Sequence, residues 1–267
     1  QDAADLTVTA LAGGITELDF GDVTRGALCD AVPAGQRLVL AQALSFDQIS
    51  GVVGLVRNVL LGTLAVEGAG ALILMLRFWP EFGLGRAVWY GVFHSVSAYC
   101  NAGFDVLGDL ASGGSLCGYV DDPVVNLTIM ALITIGGLGF AVWGDIRKNR
   151  RFSRLSVYSR LVVAISLGLT LGGAAVIALL EWNNPGTIGG LRAGGKVLAS
   201  LFQSVTLRTA GFASFDQNAL RDVTKAVCDV LMFVGGSSGS TAGGVKTVTV
   251  GVLVLAAVGT ARGRTHI

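Results

Sequence analysis

Uncharged runs long enough to cross a lipid bilayer constrain the fold of this sequence more than any other feature. Residues 124–143 and 161–180 contain no charged side chain, and residues 58–76 contain only Glu67. A fourth apolar segment, 223–260, is interrupted by a stretch rich in glycine and serine. Because about 20 apolar residues in a helix cross the hydrocarbon core of a membrane, the sequence predicts four crossings, the last one broken.

Composition supports a membrane protein and argues against other classes. Of the 267 residues, 52% are hydrophobic and 14% are charged, whereas soluble domains carry about 25% charged residues. The net charge of +1 gives no reason to expect a nucleic-acid partner. Two histidines and four cysteines without a CxxC pair offer no metal-ligand or nucleophile–base constellation. We therefore expect an all-α integral membrane protein that is not an enzyme and has no cofactor in this chain.

The distribution of charge predicts which side of the membrane each connection faces. The link at 145–160 holds six lysines and arginines against one acid, and the C-terminal tail adds Arg262 and Arg264. The loop at 105–122 holds four aspartates and no base. Since lysine and arginine are enriched in cytoplasmic loops, the link and the C-terminus are predicted to be cytoplasmic and the acidic loop to lie outside.

A short motif occurs twice, each time between two predicted crossings on the outer side. It reads FHSVSAYCNAGF at 93–104 and FQSVTLRTAGF at 202–212. Both segments are too apolar for simple extracellular loops, and irregular backbone at membrane depth is tolerated only where it lines a cavity or is buried in protein. A short helix followed by a glycine turn can present backbone carbonyls to an ion. The repeat therefore predicts two helix–pore helix–helix units, roughly 52–144 and 157–260.

The turn that ends each motif is the predicted ion-contacting segment. Glycine has no Cβ and adopts positive φ readily, so a tight turn can direct its carbonyls inward. The candidate filter residues are Asn101, Ala102, Gly103, Thr209, Ala210 and Gly211. They would act through backbone carbonyls rather than through side chains.

Five nearby side chains have predicted roles. Phe104 and Phe212 are expected to anchor the turns by packing. His94 is expected to make a structural hydrogen bond rather than to sense pH, and Arg208 to reach a carbonyl or acidic partner away from the ion path. Glu67 is expected to form a structural pair, because an ionised group near the centre of a crossing is costly unless it is paired or functional.

The glycine-rich break in the last crossing is a candidate gate loop. It comprises Gly235, Gly236, Ser237, Ser238, Gly239, Ser240, Thr241, Ala242, Gly243 and Gly244, with Lys246 two residues further on. Residues this small cannot hold a rigid lipid-facing helix, but they can form a mobile plug in a water-lined cavity. The alternative is a static helix-packing contact of small residues.

Three stretches resemble the Trk/Ktr/HKT superfamily of potassium transporters, most closely its Ktr- or Trk-type ion-conducting membrane subunit. They are FHSVSAYCNAGFDVLGD (93–109), LFQSVTLRTAGFASFD (201–216) and GGSSGSTAGGVKT (235–247). The resemblance implies repeated helix–pore helix–helix units around a pseudo-fourfold pore, in a multi-pass protein of the cell (inner) membrane. It implies that Gly103 and Gly211 are filter glycines whose carbonyls coordinate K+, with Na+ as the alternative, and that the glycine-rich loop is the gate.

The resemblance also implies domain boundaries and partners. Residues 1–36 would be a poorly matching remnant of the first unit, 37–144 the second unit, 145–160 the basic cytoplasmic link and 161–267 the third unit. The sequence is therefore expected to be incomplete relative to the family. The implied partners are a second copy in a homodimer, a cytosolic nucleotide-binding regulatory ring and the lipid bilayer.

Two other functions remain open from the sequence. A coupled secondary transporter can also be built from repeats with a broken helix at its substrate site. An inactive fragment or scaffold is the third possibility, because fewer than four units are recognisable. Two repeats in the same orientation favour the pore over the coupled transporter.

Overall fold

The computed structural model describes residues 52–108 and 114–262. The predicted remnant at 1–36 lies outside the described residues. Contacts divide the chain into Gln1–Leu60 and Leu61–Ile267, and the second unit contains all of the candidate filter and gate residues. Within the described ranges the chain forms seven α-helices and three short 3-10 turns, with no β-strand, which confirms the expected all-α class.

Helix α1, Val52–Tyr99, consists of two helical segments joined by a kink. Pro80 lacks the N–H that a helix interior requires. Gly83 has φ 75° and ψ 163°, a conformation that residues with a Cβ avoid. The kink therefore separates the predicted first crossing from the predicted pore helix.

The second segment of α1 folds back along the first. The hydroxyl of Ser95 donates to the backbone oxygen of Glu67 at 2.6 Å. Four residues earlier, a Cβ added at Gly91 would come within 2.7 Å of the backbone oxygen of Ala71. Ser95 thus lies beside Glu67 and Gly91 beside Ala71, so the two segments run antiparallel and form a hairpin.

Helix α2, Pro123–Leu138, and helix α3, Phe140–Lys148, meet at an angle of 95°. Asp122 caps the N-terminus of α2, and Gly139 ends the helix with φ 82°. The run at 124–143, predicted as an unbroken crossing, is therefore bent at Gly139. The break is stabilised from outside the segment, since the carbonyls that it frees accept hydrogen bonds from the glycine-rich loop.

Helix α4, Val157–Glu181, and helix α5, Ala193–Thr206, form a second hairpin. With 25 residues, α4 is about 37 Å long and can cross a bilayer core of about 30 Å. The hydroxyl of Ser204 on α5 donates to the backbone oxygen of Thr170 on α4 at 2.7 Å. The hairpin again pairs a long apolar helix with a shorter helix, the predicted re-entrant helix of its motif.

The apolar segment at 223–260 is broken, as the sequence predicts. Helix α6, Asp222–Phe233, and helix α7, Thr247–Ala261, are separated by a loop at 234–246. A parallel bridge between Val234 and Val245 closes the base of this loop. The loop is therefore a compact excursion between α6 and α7.

By length and composition, several described helices suit a membrane. The ranges Val56–Tyr99 and Val157–Glu181 are apolar enough to cross it, and the bent pair α2–α3 counts as a third candidate. The first of these ranges contains the kink at Gly83, so it comprises two helical segments rather than one continuous helix. Large apolar side chains on the helix exteriors are exposed, among them Leu64, Leu179 and Val230, which suits contact with lipid.

Candidate ion filter and intramembrane loop

The two motifs fold into matching turns. In each, a non-glycine residue takes the left-handed conformation (Asn101, φ 51°; Thr209, φ 66°) and the glycine two residues later does the same (Gly103, φ 71°; Gly211, φ 91°). Between the clamping hydroxyl residue and the glycine, the first motif contains one more residue than the second. Helix α1 runs on past Ser97 to Tyr99 whereas α5 ends at Thr206, so the helix takes up the extra residue and the glycine conformation is preserved.

A hydroxyl clamp closes each turn. Ser97 Oγ donates to the backbone oxygen of Phe104 at 2.7 Å, and Thr206 Oγ1 donates to that of Phe212 at 2.7 Å. Both donors lie in the last turn of a re-entrant helix, and both acceptors follow the turn glycine. The clamp therefore fixes the backbone on either side of each candidate filter segment.

The two re-entrant helices dock on their crossings in the same way. Ser95 and Ser204 occupy the same motif position, and each donates to a carbonyl of the preceding crossing. Three residues after each acceptor lies a glycine, and a Cβ there would meet the serine hydroxyl at 2.7 Å (Gly70) or 2.5 Å (Gly173). Glycine is therefore required at both places for the helices to approach so closely.

The second residue of each motif ties down the segment that leaves the turn. His94 is fully buried, contacts the backbone oxygen of Tyr90 through Nδ1 at 2.7 Å and accepts a long hydrogen bond from Val106 N through Nε2. In the other hairpin Gln203 and Gln217 exchange two amide hydrogen bonds of 2.7 and 3.2 Å. His94 therefore makes the structural contacts that the sequence predicts for it.

The structure brings the two predicted filter turns into direct backbone contact. A Cβ added at Gly103 would lie 2.3 Å from the backbone oxygen of Ala210 and 2.9 Å from Cα of Gly211. Phe212 is 2% exposed, as expected of a packing anchor, but Phe104 is 69% exposed. The packing role predicted for Phe104 is therefore wrong within the described residues, because no described segment covers that side of the first turn.

The glycine-rich loop is held by the break in α2. The amides of Ser237 and Thr241 donate to the backbone oxygens of Gly137 and Gly136 at 3.1 and 3.3 Å, and Ser237 Oγ donates to Leu138 O. In the other direction, Phe140 N donates to Gly239 O at 3.1 Å. Helix ends leave carbonyls without partners, so each break satisfies backbone groups that the other exposes.

The loop also contacts both candidate filter turns. Asn101 Nδ2 donates to Thr241 Oγ1 at 3.1 Å, and that hydroxyl donates to the backbone oxygen of Tyr99 at 2.8 Å. On the second turn, Gly243 N donates to Thr209 Oγ1 at 3.0 Å. The sequence predicts the loop and the turns separately, whereas their contacts join residues up to 142 positions apart.

Arg208 reaches a backbone carbonyl, as expected. Its Nη2 donates to Gly235 O at 3.2 Å and to Thr247 Oγ1 at 3.4 Å, which are residues on the two flanks of the loop. Its Nε is buried without a protein partner within the described residues. Arg208 also lines a small, mainly apolar cavity whose walls include Thr134 and Thr170.

Glu67 has a polar neighbour beside the first turn. Its Oε1 lies 3.9 Å from the thiol of Cys100, which precedes Asn101. The expected structural pair is therefore with a thiol rather than with a base. Its backbone oxygen carries the Ser95 contact, so this residue supports the first re-entrant helix through its main chain as well.

Sequence reasoning missed a buried carboxylate at the end of α4. Glu181 is 0% exposed, and both of its oxygens accept two hydrogen bonds. The donors are Asn184 Nδ2, Thr187 Oγ1, Arg221 N and Thr224 Oγ1. They come from the loop after α4 and from the start of α6, so the carboxylate joins these segments behind the second turn. The only sequence signal is an acid at the end of a long uncharged run.

A polar cluster joins the end of the first crossing to the start of α2. Arg77 contacts Glu81 at 2.7 Å and also pairs with Asp122, the N-cap of α2. Tyr119 Oη donates to Glu81 Oε2 at 2.5 Å. Burial of the phenol, together with this hydrogen bond, raises the pKa of Tyr119. The cluster fixes the loop end that the sequence predicts to face outside.

Two hairpins that end in matching glycine turns, set among apolar helices long enough to cross a bilayer, are typical of an integral membrane protein. Residues 51–266 match the family model of TrkH, described as a cation transport protein. The chain therefore belongs to the TrkH family of cation transport proteins, and the resemblance drawn from the sequence is confirmed.

Individual relatives agree with the family. The chain is 37% identical over 252 residues to Ktr system potassium uptake protein B of Bacillus subtilis, covering 94% of the chain and 56% of that protein. It is 36% identical over 230 residues to potassium/sodium uptake protein NtpJ of Enterococcus hirae, covering 86% and 50%. The chain thus spans about half the length of the curated relatives it matches.

A solved structure shows the same fold. The crystal structure of the potassium transporter TrkH from Vibrio parahaemolyticus superposes with a TM-score of 0.65 at 20% sequence identity. The match covers 85% of this chain and 45% of that one. At this identity the likeness concerns the fold alone.

Proposed function

We propose that this chain is part of the ion-conducting subunit of a potassium uptake system. The observation that carries the proposal is the direct backbone contact between two turns of the same geometry, at Gly103 and Gly211. The family description and the relatives named for potassium uptake support it. K+ is the proposed substrate, and Na+ is the alternative because one relative is named for both ions.

Ion coordination is assigned to backbone carbonyls of Asn101–Gly103 and Thr209–Gly211. Rings of carbonyl oxygens can replace the hydration shell of a potassium ion. Two features of the turns support this assignment: the positive φ of both glycines, and the hydroxyl clamps that hold the backbone on either side. The C-terminal end of each re-entrant helix also carries partial negative charge, which favours a cation.

The loop of residues 235–244, with Lys246, is proposed to gate this path. Two observations support this proposal: the loop contacts both turns, and several of its backbone groups form hydrogen bonds to residues outside the loop. Lys246 Nζ donates to Ala242 O at 3.0 Å, so its charge is held by the loop itself. A loop that is held mainly by hydrogen bonds and carries no large apolar side chain of its own is suited to move as a unit.

The remaining proposals concern setting and assembly. We place the chain in the cell (inner) membrane with the 145–160 link and the C-terminus cytoplasmic, and we assign 37–144 and 161–267 to two consecutive units. The partners proposed are a second copy and a cytosolic nucleotide-binding ring. Uptake would then be driven by the membrane potential, which supplies about 2.3 kcal/mol per charge per 100 mV.

The test is potassium uptake by a bacterial strain that lacks its own uptake systems and expresses the full gene product carrying this sequence. Gly211→Asp should abolish uptake and leave the amount of protein in the membrane unchanged, because a side chain and a charge are forced into a left-handed turn. Gly190→Ala is the matched control, since a Cβ there meets no atom within 4 Å. Undiminished uptake by Gly211→Asp would refute the filter assignment.

Competition between ions separates the alternatives. Uptake of labelled K+ or Rb+ that excess Na+ does not inhibit indicates a potassium path. Uptake that saturates only in the presence of a co-transported ion would instead favour a coupled secondary transporter.

A further inference from the structure

We infer that Asn101 and Thr209 are positioning residues that latch the glycine-rich loop to the two candidate filter turns. The latch is a structural statement about loop position, and its effect on ion flow rests on the proposed function. Each latch residue is the non-glycine residue of its turn that adopts positive φ. Together they make one side-chain contact from each turn to the same loop.

The first contact is directional. Thr241 Oγ1 donates to the backbone oxygen of Tyr99, so its lone pairs remain free to accept from Asn101 Nδ2. Gly136 on α2 makes room for this arrangement, because a Cβ there would lie 2.7 Å from Thr241 Oγ1 and 2.1 Å from Tyr99 O. The hydroxyl of Thr241 is therefore clamped between two residues of the first turn.

The second contact uses the loop backbone. Gly243 N donates to Thr209 Oγ1 at 3.0 Å, and this is the sole side-chain hydrogen bond of Thr209 within the described residues. Likewise, the described side-chain contact of Asn101 goes to the loop and not to the other turn. Both side chains thus act on the loop, whereas ion contact is assigned to the backbone.

The types of the two latch residues support the inference independently of the hydrogen-bond distances. Left-handed φ is the usual place for glycine, is tolerated by asparagine and is disfavoured for β-branched residues. Threonine at φ 66° is therefore a costly choice unless its side chain is used. The hydrogen bond to Gly243 supplies that use.

The latch predicts how the loop is released. Moving the loop away from the turns breaks both contacts together, so whatever moves the loop must overcome both. Removing either side chain should loosen the loop and leave the turn backbone in place. The variants Asn101→Gly and Thr209→Gly test this, because glycine retains the left-handed conformation and deletes only the side chain.

The primary measurement is amide hydrogen exchange of peptides covering 235–247, followed by mass spectrometry of the full gene product in lipid nanodiscs. We expect Thr209→Gly and Asn101→Gly each to raise exchange of these peptides about fivefold, the effect of losing roughly one net hydrogen bond. Thr209→Ser keeps the hydroxyl and should restore the wild-type rate. Thr241→Val removes both the bond from Asn101 and the bond to the backbone oxygen of Tyr99, so it should raise exchange at least as much as Asn101→Gly.

A control variant should leave exchange of the loop unchanged, and two results would contradict the latch. Thr260→Val changes an exposed threonine whose hydroxyl bonds only within α7, and exchange of the loop should not change. Wild-type exchange rates in both glycine variants would overturn the latch. So would rates raised equally by Thr209→Ser and Thr209→Gly.

Ion flux separates this inference from the proposed function. We expect the two glycine variants to raise resting uptake at least twofold with an unchanged ratio of K+ to Na+. A collapse of that ratio without faster loop exchange would assign the side chains to the filter and overturn the latch. If the wild-type protein moves no potassium but the exchange results hold, the latch stands and the proposed function fails.

Discussion

Gly103 lies against Gly211 so closely that a Cβ on the former would come within 2.9 Å of Cα of the latter. The two residues belong to hairpins that are separated in sequence by α2 and α3. Their contact is backbone to backbone, so side chains cannot substitute for it. The two turns are therefore one structural unit, and a change in either should be felt by the other.

Alanine substitutions at the two glycines should have unequal effects. Gly103→Ala combines a left-handed φ with a clash against Ala210 O at 2.3 Å, whereas Gly211→Ala meets only Cα of Gly103 at 3.4 Å. The strain of positive φ alone costs about 1–2 kcal/mol. We expect Gly103→Ala to lower the thermal unfolding midpoint and potassium uptake more than Gly211→Ala. Equal losses would contradict the close contact, and Gly190→Ala provides the baseline.

His94→Gln should leave uptake and its pH profile between pH 6 and 8 close to wild type. Both ring nitrogens have structural contacts, and the equivalent position in the other hairpin already holds Gln203. Glutamine can donate to one neighbour and accept from the other. Uptake measured across this pH range checks the prediction, and a profile that loses a step in the variant would identify His94 as a sensor. His94→Leu, which keeps the volume and removes both contacts, should destabilise the protein.

The sequence predicts those structural features that depend only on neighbouring residues in the chain. A motif that ends in glycine predicts each short helix and its turn, and Gly103 and Gly211 have the positive φ that the motif predicts for them. The glycine-rich stretch predicts the break between α6 and α7 for the same reason. These features follow from the conformational freedom of a few neighbouring residues.

Features that depend on contacts between distant parts of the chain could not be predicted from the sequence. Hydropathy over 124–143 measures whether a segment is apolar, not where its carbonyls bond, so the bend at Gly139 was missed. That bend is stabilised by amides of Ser237 and Thr241, about 100 residues away in the chain. The exposure of Phe104 and the burial of Glu181 likewise depend on which segments pack around them.

Glu181→Gln should destabilise the protein by about 2 kcal/mol, the typical cost of leaving buried donors without an acceptor. The carboxylate accepts from four groups, and the new amide nitrogen would face donors that cannot all reverse. Thermal unfolding in detergent measures the loss. Asp229→Asn, an exposed acid on α6, is the matched control and should have little effect. An unchanged midpoint for Glu181→Gln would show that the carboxylate does not join these segments.

Tyr119→Phe should remove part of the loss of stability at high pH. Burial and the bond to Glu81 raise the pKa of Tyr119 in the folded state, while an unfolded tyrosine has a pKa of about 10. Above that pH the unfolded chain releases a proton that the folded chain retains, so stability falls as pH rises. Unfolding midpoints at successive pH values should decline less steeply in the variant above about pH 10. Parallel curves would contradict the assignment.

Limited trypsin digestion of membrane vesicles should reveal the orientation of the chain. Arg150, Arg151 and Arg154 are exposed in the basic link, whereas Arg192 is exposed in the connection between α4 and α5. Since basic loops remain on the cytoplasmic side, we expect cleavage in the link only in inside-out vesicles and cleavage after Arg192 only in right-side-out vesicles. Fragment masses distinguish the two sites. The reverse pattern would invert the orientation, and with it the side from which the glycine-rich loop is reached.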